Sequence, residues 1–168
     1  MDSHDILLDA FDRVRDDVHG AVEGLEEAAL TFRADKDANT IAWLIWHLSR
    51  VQDDHVAEVA GIEQVWTSGG WVERFGLPFD KSAHGYGQSS SDVAAVKADA
   101  ALLLGYFDAV HQQTMNYVEG LKDAELDRVV DERWDPPVTL GVRLVSVVND
   151  CTQHAGQAAF VRGLTERR

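Results

Sequence analysis

Apolar residues recur at three- and four-residue steps along four separate stretches of this chain. That period belongs to helices with one buried face, and little else can satisfy it. In the first stretch, about residues 5–25, Ile6, Leu7, Phe11, Val14, Val18, Val22 and Leu25 keep the period, while Asp12, Arg13, Arg15, Asp16 and Asp17 fill the other face. The second starts at Asn39 or Thr40, either of which can cap it, runs through Ile41, Leu44, Ile45, Leu48 and Val51, and ends near Gly61. The third starts at Ser90 or Ser91, with Asp92 in the first turn where the helix dipole favours an acid. It carries one inner face from Val93 through Leu103, Phe107 and Val110 to Leu121 and ends around Gly120. The fourth takes Thr139 as cap, buries Leu140, Leu144, Val147, Cys151, Ala155, Ala158 and Val161, and meets a stop signal at Gly163. No strand-like alternation or internal repeat appears. The expectation is an all-α fold, a four-helix bundle forming one domain over residues 1–168.

The connections are unequal. Residues 26–39 lose the period and read as a loop or short turn, and Pro136 and Pro137 block helix ahead of the fourth stretch. Residues 62–90 form a connection of roughly thirty residues, far beyond the usual helix–helix loop. Trp66, Trp71, Phe75, Phe79 and Tyr86 stand among its glycines, an aromatic content that argues against disorder. It is expected to be ordered, to pack over one end of the bundle and to wall a pocket.

Charge narrows the partners. Fifteen Lys and Arg against 29 Asp and Glu leave −14, a surface that repels nucleic-acid backbones and anionic membranes. No apolar run approaches the roughly 18 residues that a membrane span needs. The single cysteine, Cys151, excludes an internal disulfide and a cysteine-rich zinc module. MDSHDILLDAF carries acids where a secretion signal carries bases, so a cytoplasmic setting is expected.

Asp150 and His154 lie four residues apart on the fourth helix. Each residue turns about 100°, which puts both at the edge of the buried face, one above the other. A carboxylate and an imidazole so placed can reach one ion, and both bind zinc. His47, on the inner stripe of the second helix, is the best third ligand. The blander alternatives are an intrahelical Asp–His pair and a hydrogen-bonded core histidine. Cys151 sits at the centre of the apolar series and reads as a small buried hydrophobe. His55 reads as a surface residue. His111 could touch the site from the third helix, and His84 lies in the long connection near Tyr86.

The layout resembles the DinB-like superfamily of four-helix-bundle metal proteins, and within it the actinobacterial branch of mycothiol S-transferases and mycothiol-dependent maleylpyruvate isomerase. IAWLIWHLSRVQ in the second helix, D-x-x-x-H-x-G-Q from Asp150 to Gln157, and the GLPF and GYG pieces of the long connection carry the resemblance. It implies His47 and His154 as the first and last metal ligands. Asp150 stands where many members carry histidine, and the isomerase type is similar in using an acid there. Two imidazoles and a carboxylate leave a fourth position open, with zinc the expected ion and nickel, iron or manganese as alternatives. A composition rich in arginine, 11 against 4 lysines, is consistent with mycothiol as the thiol.

The expected activity is metal-dependent transfer of a low-molecular-weight thiol to an electrophilic small molecule, with no side chain assigned as acid or base. Arg50 and Arg74 are candidate clamps for a substrate carboxylate, and Trp71 and Tyr86 candidate pocket walls. A homodimer is one form such a protein could take. The rival functions are a metal-dependent hydrolase or thiol-dependent isomerase on the same site, and a non-enzymatic helical binding protein.

Overall fold

The structure, a computed structural model, describes residues 2–167. Its frame is four long helices, α1 (Ser3–Val22), α3 (Ile41–Ala60), α7 (Ala100–Glu119) and α8 (Leu140–Thr165). α1 packs on α7 and α8, and α3 packs on the same two, so the four close into a ring around one core. Phe11, Val18, Ile45, Leu48, Phe107, Leu140, Leu144 and Cys151 are fully buried there. The caps are local and chemical. Thr40, Asp99 and Thr139 each accept from the backbone amide three residues on, which satisfies a donor the helix leaves unpaired.

Several boundaries differ from the sequence expectation. α1 ends at Val22, and a one-turn helix, α2 (Glu27–Leu30), follows and buries Leu30. The third stretch is two helices, not one: α6 (Ser90–Ala95), capped by Ser89, and then α7. Val96 turns extended, and Asp99 recaps the chain. The apolar period runs across the break because Val93 and Val96 stay buried, and this hides the second start. Gly163 does not stop α8, which runs on to Thr165. The polar segment before α8 holds a short antiparallel hairpin, β1 (Val129–Asp131) with β2 (Val138–Thr139). Asp131 fixes that hairpin to α8 by accepting from Arg143 at 3.1 Å.

The long connection has a topological cause. Arg50 meets Tyr106, Gln52 meets Thr114, and Val59 meets Tyr117, so α3 and α7 run in the same direction. Between two parallel helices the chain must return the length of the bundle, about 30 Å for twenty residues. It does so through α4 (Val65–Ser68), α5 (Trp71–Phe75) and a segment laid along α3. Indoles and a guanidinium fasten it. Trp66 Nε1 donates to Lys81 O, Arg50 Nε to Ala83 O, and Trp43 Nε1 to Gln88 Oε1.

Beneath this segment lies a buried polar cluster. Asp53 accepts from the backbone amides of Val65 and Trp66 and from the Tyr106 hydroxyl, and stands 3.6 Å from Arg50. Arg50 and Asp53 are both buried, and burial pushes the Asp53 carboxyl above its ordinary value against these donors. Asp53→Ala removes both the α4 cap and the counter-charge of Arg50. A loss of about 3–5 kcal/mol in urea denaturation is expected; a loss below about 1 kcal/mol would contradict the cluster's role.

Candidate metal centre

α3 and α8 run antiparallel, which brings His47 of one against Asp150 and His154 of the other. The three side chains each offer a ligand atom, all within 4.8 Å of one another, and no other such group occurs among the described residues. His47 is buried and the two α8 residues are half-buried. The site therefore lies at the bundle's edge, roofed on one side and open on the other.

Each imidazole is oriented by a second contact. His47 Nδ1 donates to the carbonyl of His84, which can only accept, so Nε2 keeps its lone pair. Trp43, one turn earlier, stacks on the His47 ring at 4.6 Å and 15°, and holds its edge toward His154 at 6.5 Å. Gly85 completes the cradle. Its φ of +101° disfavours any side chain, and a Cβ there would collide with His47 Nδ1. On α8, His154 Nδ1 lies 2.9 Å from Gln157 Oε1, which likewise leaves Nε2 free, 3.6 Å from Asp150 Oδ1.

The charges call for a cation. Burial holds His47 below its ordinary pKa, helped by the neighbouring His154, so His47 is neutral at neutral pH. Asp150 Oδ2 is buried with no hydrogen-bond partner. A carboxylate oxygen stranded next to two oriented imidazole nitrogens is costly unless a positive charge meets it. The donor set fits a divalent ion of the zinc, nickel, iron or manganese kind.

Other sequence candidates fall elsewhere. Arg50 is fully buried and donates to Ala83 O, to Gln64 and to Tyr106. It is a strut under the connection, with no outward donor for a substrate carboxylate. Trp71 is buried against Tyr106, and the exposed Arg74 stacks on its ring at 3.7 Å. Both belong to the α5–α7 packing, not to the triad. The connection's aromatics in fact wedge between α3 and α7, and residues 84–88 are the part that reaches His47 and Trp43. Tyr86 is 88% exposed beside His84. His55 is half-buried against Arg143, and His111 pairs with Asp12 on the α1–α7 side. Cys151 is in the core with its thiol pushed up by burial, which makes it inert.

Three contributors were not expected as such: the ring of Trp43, the carbonyl of His84 and the amide of Gln157. Trp43 stands four residues before His47, a spacing that signals contact. Gln157 stands in the α8 motif. The contact of His47 with His84 spans 37 residues and has no local signal.

The fold has a counterpart. The crystal structure of a conserved protein from Enterococcus faecalis is similar to this chain, with a TM-score of 0.92 at 27% identity, covering 100% of this chain and 99% of that one. No curated protein matches it. The profile of the mycothiol S-transferase family matches residues 6–166, nearly the whole chain, and the protein belongs to that family.

Proposed function

We propose that the protein is a metal-dependent thiol S-transferase that joins a low-molecular-weight thiol of the mycothiol type to an electrophilic small molecule. The observation that carries this is the convergence of His47, Asp150 and His154, with a stranded oxygen on Asp150, in a chain of this family. A divalent ion held there lowers the pKa of a bound thiol, so that the nucleophile is ionised at neutral pH.

The chain's own residues then have positioning roles. His84 and Gln157 fix the two imidazoles as neutral nitrogen donors. Asp150 supplies the negative charge that favours a divalent ion. Trp43 shields one face of the site from water. Tyr86, exposed at the mouth, is the proposed contact for substrate, and the thiol setting implies a reducing, cytoplasmic location. The acid at position 150 also favours a thiol-dependent isomerase as second reading, because the isomerase branch resembles this chain there.

Asp150→Ala and His154→Ala are each expected to remove most of the bound metal while the helical bundle stays folded. Asp150→His should retain metal and Asp150→Asn should bind it weakly. Elemental analysis beside thermal unfolding measures both, and metal content unchanged in either alanine variant contradicts the ligand set. Acid should release the ion as the imidazoles protonate.

The activity itself is tested by a screen of thiols against electrophiles and against a cis-dienoate isomerase substrate. Conjugation that depends on both the thiol and an intact His154 is expected. Turnover that needs no thiol would replace transfer with hydrolysis.

A further inference from the structure

Gly156 and Gln157 stand in the α8 motif, yet neither supplies a ligand atom to the triad. Both line an open groove of about 550 Å³ beside it. Leu44, one turn before His47 on α3, and Gln157, just beyond His154 on α8, place this groove directly next to the metal-ligating end. The volume is that of a small-molecule site.

The lining has an unusual chemistry for this chain. None of its nine residues is charged, in a protein of net charge −14. Leu44, Val161 and a Phe160 that is 66% exposed give an apolar face. Asn39, Gln153 and Gln157 bring three side-chain amides. Neither Asn39 nor Gln153 makes a side-chain hydrogen bond among the described residues, and Gln157 uses only its oxygen, on His154. Amide N–H groups are therefore left to meet an acceptor in the groove. Gly156 keeps the floor clear. A Cβ there would meet nothing within 4 Å, so neither packing nor backbone requires glycine, although glycine weakens a helix interior. The space outside it is what the residue preserves.

We infer that this groove seats the electrophilic substrate, and that the substrate is an uncharged, partly apolar molecule carrying hydrogen-bond acceptors such as carbonyl or nitro oxygens. This rests on the thiol-transfer reading for its consequence, though not for the binding itself. An anionic substrate is disfavoured, because no cationic side chain lines the groove to replace its hydration. Gln157 joins the two sites. Its oxygen orients His154 while the same side chain lines the groove, so an occupant is felt at the His154 imidazole.

The test uses zinc-loaded, nitrogen-15-labelled protein without thiol. The probes are 1,3-dinitrobenzene, which is neutral and unreactive, and 3-nitrobenzoate, its anionic counterpart. Saturable shifts of the Asn39, Gln153 and Gln157 side-chain amides are expected with the neutral probe, and at least tenfold weaker binding of the benzoate. Gly156→Leu should weaken the neutral probe at least tenfold with zinc content kept, and Gly156→Ala provides a milder block should the larger side chain unfold the helix. Equal binding of the two probes, shifts confined to other residues, or unchanged binding in both folded variants would overturn the inference. So would a dimer in sedimentation whose formation shifts these same amides with protein concentration in the absence of probe. Probe binding in a protein that takes up no zinc would leave the groove standing and sink the thiol-transfer reading instead.

Discussion

The hydrogen bond from His47 Nδ1 to the carbonyl of His84 joins the topology of this protein to its chemistry. Because α3 and α7 run parallel, the chain between them must travel back along α3, and the carbonyls it carries meet donors spaced along that helix. Trp43, His47 and Arg50 are one face of α3, and they take Gln88, His84 and Ala83 in reverse order. A single histidine thus serves two needs. One nitrogen secures the returning chain, and the other is presented to Asp150 and His154. Loosening the connection would loosen the centre, and this is why a glycine with positive φ sits against the ring.

The energetics divide along the same line. The four helices bury one continuous core of aliphatic and aromatic side chains, and for a domain of this size that is enough to fold without an ion. The buried polar groups are mostly partnered, and the unpartnered atoms among them are nitrogens with one exception. Arg50, Asp53, Gln64 and Tyr106 form one cluster, and it fixes the start of the connection rather than reaching the site. Asp150 Oδ2 is the one buried side-chain oxygen without a partner among the described residues, and it lies where three donor atoms converge. Strain of that kind is tolerated where function uses it.

Most of this was legible in the sequence because it is local. The helical period, the caps at Thr40 and Thr139, and the stacking of Asp150 over His154 all follow from spacing within one helix. What could not be read depends on long-range placement. Asp99 starts a second helix inside an unbroken apolar series, and the series gives no sign of it. Arg50 looked like a surface clamp because arginine on a helix usually faces water; here a carboxylate three residues on and a tyrosine from α7 take it inside. Trp71 was expected near a pocket, yet it fills space against α7, since an aromatic's preference for cover does not say which cover. The pairing of His84 with His47 spans 37 residues, and neither flank announces it.

On the proposed function, His47, Asp150 and His154 hold a divalent ion with a place left for a thiol. Cobalt(II) titrated into metal-free protein tests it most directly, because its visible spectrum reports both coordination and sulfur. One cobalt per chain is expected, with the strong bands of a four- or five-coordinate site, and a new sulfur-to-cobalt charge-transfer band when a low-molecular-weight thiol is added, with Cys151 replaced by alanine to exclude the protein's own sulfur. Substoichiometric cobalt with the weak spectrum of the aqueous ion, or a saturated site whose spectrum no thiol alters, would contradict it.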